Sequence, residues 1–168
     1  MQFIFVLLAI LNFLAFIITV ILGFIAMKSL WLFQYHIGAG LLTALFTCVV
    51  HSIVFTHFIG SGLSVKEAVL ANNLGFDYIQ KTRRFKARVF PFALLSTLLT
   101  IAVVAMGSAA HTLLIPGWIH GFFAILAVIL NIRAFFLEYR YVGENSRLLE
   151  SLNRALTEPK ISDISSET

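Results

Sequence analysis

A chain of 168 residues with 60% apolar and only 12% charged side chains carries about half the charge of a soluble domain, for which roughly 25% is usual. That imbalance excludes a water-soluble globular fold and points to an all-α integral membrane protein. The net charge of +4 is concentrated outside the apolar runs, so it reads as membrane topology rather than as a nucleic-acid-binding surface.

No charged residue occurs from Met1 to Met27, between Lys28 and Lys66, or between Arg88 and Arg133. A hydrocarbon layer of about 30 Å takes roughly 20 helical residues, and its lack of water forces every backbone polar group to be satisfied within the helix. The first gap therefore predicts one span, near 3–27. It lacks a basic leader and is longer than a signal-peptide core, which reads as an uncleaved span. The second opens with the aromatic stretch Trp31, Phe33, Gln34, Tyr35 and His36 and predicts a span over 37–59, ended by Gly60, Ser61 and Gly62. The third is too long for one crossing. Pro116 and Gly117 divide it into spans near 89–112 and 118–137. The expected architecture is an antiparallel four-helix transmembrane bundle over 1–140.

Between the second and third spans, Ser64 and Glu67 have capping-box spacing, which predicts a short amphipathic helix ending around Asn72 to Gly75. From Asp77 to Arg88 the chain is basic and helical in pattern. It is expected to join the third span, with Pro91 tolerated early in that helix. Residues 141–168 form an amphipathic tail. Leu148, Leu149, Leu152 and Leu156 recur at helical spacing beyond Gly143, and the end is polar and mobile.

Eleven of the twelve basic residues lie in loop 60–88 or after residue 132, and only Lys28 lies on the opposite side. Basic flanks stay cytoplasmic, so the expectation is N-in and C-in, in a cell inner membrane, with the basic loop on anionic headgroups. Cys48 is the only cysteine, which excludes an intramolecular disulfide.

Each span carries a stripe of small and polar residues, the face by which membrane helices meet. The stripes are Asn12, Ala15, Thr19, Gly23 and Ala26; His36, Gly40, Thr43, Thr47 and His51; Ala93, Thr97, Thr100, Gly107 and His111; and His120, Ala124, Ala127, Asn131 and Glu138. The topology puts His36, His111 and His120 at the periplasmic end, each with a small residue one turn deeper: Gly40, Gly107 and Ala124. Imidazoles are haem and transition-metal ligands. The sharpest expectation is therefore a b-type haem held by His36 with His111 or His120, with Trp118, Tyr35, Gln34 and Thr112 near its propionates. The variant is a metal held by all three histidines, and the bland reading is helix packing alone. His36 and His51 share one face about 22 Å apart, which resembles a helix of diheme b cytochromes. The third and fourth spans, however, lack a histidine at the depth of His51.

In the inner half Asn12, His51, Asn131 and Glu138 are expected to converge, either as a quinone headgroup site or short proton path, or as plain interhelical hydrogen bonding. His57 points away and reads as interfacial. No hydrolase, nucleotide or zinc-protease motif occurs, so an enzyme is not expected beyond a redox subunit. The functional expectation is a subunit of a larger membrane assembly or homo-oligomer. Haem-based electron transfer, perhaps to quinone, ranks ahead of a cofactor-free assembly subunit and an oligomeric channel or proton conductor.

Overall fold

The computed structural model describes residues 2–26 and 30–157. They form four helices: α1 (Gln2–Ala26), α2 (Leu30–Ala71), α3 (Asp77–His111) and α4 (Gly117–Thr157). There is no strand among the described residues. All four helices are long and apolar enough to cross a membrane.

The connections 27–29, 72–76 and 112–116 have at most five residues, a reach of about 18 Å, whereas even α1, with 25 residues, is about 37 Å long. The chain must therefore double back at each one, and successive helices run antiparallel. Contacts join α1 to α2, α2 to α3, α3 to α4 and α4 to α1, closing a ring. Across it α2 also meets α4, while α1 and α3 do not approach each other. The α2–α4 diagonal carries most of the functional geometry.

Two expected breaks are not breaks. α2 runs 42 residues without interruption through Gly60, Ser61 and Gly62, so there is no separate short helix in 60–88. Ser64 is not a cap, and its hydroxyl donates to the Gly60 carbonyl at 3.2 Å. The reason is tertiary: Val65 and Val69, continuing the helix, are buried against Leu152 of α4. That packing outweighs the weak helix propensity of two glycines, about 1 kcal/mol each. Likewise α4 does not stop at Gly143 but continues to Thr157. There Gly143 lets α1 begin close by, with Gln2 Nε2 3.1 Å from where a Cβ would stand.

The leucine stripe of the tail finds its partner on its own chain. Leu148 and Leu152 are buried, and Leu149 packs with Tyr78 and Ile79 of α3 beside Val65 and Val69. The ends of α2 and α4 and the start of α3 thus extend together beyond α1, with a small apolar core of their own. The α2–α3 turn lies where Asn72 to Gly75 predict it, with Asn73 at φ 51°. Asp77 to His111 form one helix, as expected, although Pro91 falls in its interior rather than its first turn. The expected mobile end from residue 158, including Lys160, lies outside the described residues, as do Met27 and Lys28.

Candidate functional site in the bundle core

The middle of the α2–α4 diagonal holds a buried polar cluster. His51 and Glu138 are both 0% exposed, with Nδ1 2.7 Å from Oε1. The other ring nitrogen, Nε2, lies 3.1 Å from Asn131 Oδ1 and 3.2 Å from Ser96 Oγ. Phe135 stacks on the ring.

The protonation of this cluster follows from its acceptors. Asn131 Nδ2 donates to the Ala127 carbonyl at 2.8 Å and to Thr100 Oγ1 at 3.0 Å. Thr100 spends its own proton on the Ser96 carbonyl. The amide orientation is therefore fixed by the network around it, and Oδ1 faces His51 as an acceptor. Ser96 donates to the Ala93 carbonyl at 3.1 Å, so it too accepts from the imidazole. Nε2 must carry a hydrogen. A second proton then occupies the 2.7 Å bond to Glu138, on nitrogen as imidazolium or on oxygen as carboxylic acid. Glu138 Oε2 is buried and has no hydrogen-bond partner among the described residues.

Above this cluster, towards the 27–29 and 112–116 rim, α2 meets α1 through hydroxyls and amides. Asn12 Nδ2 donates to Thr47 Oγ1 at 3.1 Å, and Thr19 and Thr43 share a hydroxyl hydrogen bond of 2.8 Å. Below it Phe5, Val54, Phe58, Val89 and Val142 form an apolar layer. Beneath the layer, the buried Asn145 of α4 donates to His57 Nε2 at 3.3 Å and Ser61 Oγ at 3.0 Å.

At the rim two of the expected three histidines meet. The rings of His36 and His120 lie 6.2 Å apart, nearly perpendicular. His36 Nδ1 donates to the Thr19 carbonyl at 3.1 Å, which leaves its Nε2 lone pair free. His111 is exposed and stacks on Phe33 at 4.4 Å. Among the described residues no three His, Cys, Asp or Glu side chains are grouped so as to hold a metal.

The space expected beneath the imidazoles is also used differently. His120 fills the space over Gly107, and His36 that over Gly23, while Gly40 has only Thr19 Cγ2 nearby. The glycines receive the rings of neighbouring helices. Trp118 is 74% exposed, so it points away from this pair and suits an interfacial anchor.

The four inner-half residues are all buried, but they divide between two hydrogen-bonded groups, Asn131 and Glu138 with His51, and Asn12 with Thr47. Sequence reasoning missed Ser96 and Asn145. The signals were there: Ser96 is one turn from both Ala93 and Thr100, and Asn145 is two turns from Glu138 on the same face. His57 is half-buried and bonded to Asn145. No protein-family model, curated protein or solved structure matches this chain.

Proposed function

We propose that this chain is a four-pass subunit of a larger membrane assembly that handles protons inside the bilayer, with the His51–Glu138 pair as the group that binds and releases them. The reading includes an inner-membrane location with both ends cytoplasmic, supported by the eleven-to-one placement of basic residues. Its carrying observation is a fully buried imidazole–carboxylate pair whose bridging proton can sit on either partner, with one carboxylate oxygen unpartnered among the described residues. Ionisable groups at such depth are costly and characteristically serve proton or ion pathways. The apolar layer beneath the pair closes the side towards Asn145. The hydroxyls and amides of Thr47, Asn12, Thr43 and Thr19 lead from one turn above His51 towards His36, which favours proton access from the rim.

The pair is tested by infrared titration of the protein in nanodiscs. A buried carboxyl C=O band that changes with pH is expected. Glu138→Gln should remove that band. A wild-type spectrum without a titrating buried carboxyl band, or one unchanged in Glu138→Gln, rejects the proton role and leaves a packing bundle.

A second reading has its own observation: the rings of His36 and His120 lie 6.2 Å apart, one of them anchored through Nδ1 as a metal-ligating imidazole usually is. A b-type haem with these two axial ligands would place electron transfer at the rim, above the proton pair. Dithionite-reduced protein should then show sharp α and β bands that disappear in both His36→Ala and His120→Ala but persist in His111→Ala. A spectrum without haem bands from protein expressed with haem supplied ends this second reading.

A further inference from the structure

Where α2 turns into α3, a cleft of about 330 Å³ lies between the two helices, with Lys66 and Leu70 on one wall and Phe76, Ile79, Gln80 and Arg83 on the other. The antiparallel register accounts for its cations. Lys86 Nζ of α3 reaches across to α2, 2.9 Å from where a Cβ on Gly62 would stand. One turn outwards from that contact on both helices, Lys66 comes opposite Arg83. None of these three cations has a carboxylate partner among the described residues, whereas Lys81, Arg140 and Arg154 each pair with an acid on their own helix. Asp77, beside the cleft, is already held by Lys81 at 3.2 Å. Cations gathered in this way repel one another until an anion lies between them.

The walls and the depth say which anion. Leu70 and Phe76 are 52% and 65% exposed, so apolar surface stands bare beside the charges, which suits an amphiphile better than a free inorganic ion. Lys66 is the first charged residue after the uncharged stretch of α2. Arg83 lies only about 8 Å by helix rise outside Arg88, where the uncharged stretch of α3 begins. A bilayer carries roughly 5–7 Å of headgroup on each side of its hydrocarbon, so the cations stand at the level of lipid phosphates.

We propose that this cleft seats the headgroup of one anionic phospholipid, with its phosphate between Lys66 and Arg83, Lys86 on the bilayer side and the Gln80 amide beside it. The guanidinium of Arg83 can hold two phosphate oxygens at once, and the two ammonium groups act as point charges. A seat shared by two helices differs from the general attraction of a basic loop to a negative surface, because it holds one lipid and depends on particular cations. The inference rests on the proposed membrane location and not on the proton chemistry of His51 and Glu138.

The test is a titration of the intact protein in non-ionic detergent with dioleoylphosphatidylglycerol, bound lipid being counted by native mass spectrometry. Dioleoylphosphatidylcholine and inorganic phosphate form parallel arms. One phosphatidylglycerol per chain should saturate at concentrations where phosphatidylcholine stays unbound, and excess inorganic phosphate should not displace it. Lys66→Gln/Arg83→Gln, both at exposed positions, should weaken binding about tenfold or more. Arg140→Gln/Arg154→Gln removes the same charge elsewhere and should change it by less than about threefold. Equal binding of phosphatidylcholine overturns the proposal, as does displacement by inorganic phosphate. Equal losses in the two double variants overturn it too, since they would mean a diffuse basic surface. A chain that stays in solution without detergent rejects the membrane location along with the cleft, while one that needs detergent but shows no lipid preference rejects the cleft alone.

Discussion

Replacing His51 alone with leucine is expected to destabilise the protein by about 3–5 kcal/mol, the usual cost of leaving one member of a buried ion pair uncompensated. Glu138 loses its Oε1 partner, and its Oε2 already has none. Asn131 Oδ1 and Ser96 Oγ lose their donor in the same step. In His51→Leu/Glu138→Met the carboxylate is gone too, and apolar replacement of a buried pair is often neutral or stabilising by about 1–4 kcal/mol. The double variant should therefore recover most of the loss. Thermal or denaturant unfolding of the two single variants and the double in one detergent measures the coupling. If the two losses simply add, the pair is not the unit inferred from its 2.7 Å contact. If the double variant is as stable as the wild type, the pair is not what holds the helices together.

The fold was legible because charge leaves so clear a mark on a chain whose helices are long and apolar enough to cross a membrane. Three long uncharged gaps and the Pro116–Gly117 turn are enough to place four apolar helices, although α2 and α4 run 12 and 20 residues past the expected ends of their spans. The two errors of continuity have one cause. Gly60, Ser61, Gly62 and Gly143 break a helix by local propensity, whereas α2 and α4 continue because Val65, Val69 and Leu152 bury one another beyond α1. No local signal encodes a packing partner more than 80 residues away.

The small-polar stripes gave the inner site in large part, since Asn12, Thr47, His51, Thr100, Asn131 and Glu138 all face inwards. What a helical wheel cannot give is which pairs bond. His51 chose Glu138 and Asn131 across the short diagonal, and Asn12 chose Thr47 on the neighbouring helix. His111 failed as a member of the rim group for a related reason. It is the last residue of α3, where a small rotation decides whether a ring faces the axis or, as here, lies against Phe33.

Gly23→Ala is expected to cost about 1–3 kcal/mol, as overpacking in a close-fitted interior does, and Gly62→Ala is not, although both place a Cβ 2.9 Å from a neighbouring atom. At Gly23 that atom is Cε1 of His36. The ring cannot withdraw freely, because Nδ1 is held by the Thr19 carbonyl on the same helix as Gly23, and His120 stands on its other side. Either α1 moves away from α2 or the hydrogen bond is given up. At Gly62 the neighbour is Nζ of Lys86, the end of a flexible chain that can swing aside, while alanine gains up to about 1 kcal/mol of helix propensity. Unfolding temperatures of the two variants in the same detergent should therefore move in opposite directions. A Gly23→Ala protein at least as stable as Gly62→Ala would mean that His36 is not wedged between α1 and α4. The ring geometry on which the haem reading depends would then be lost, while the His51–Glu138 pair, about 22 Å further along α2, would be untouched.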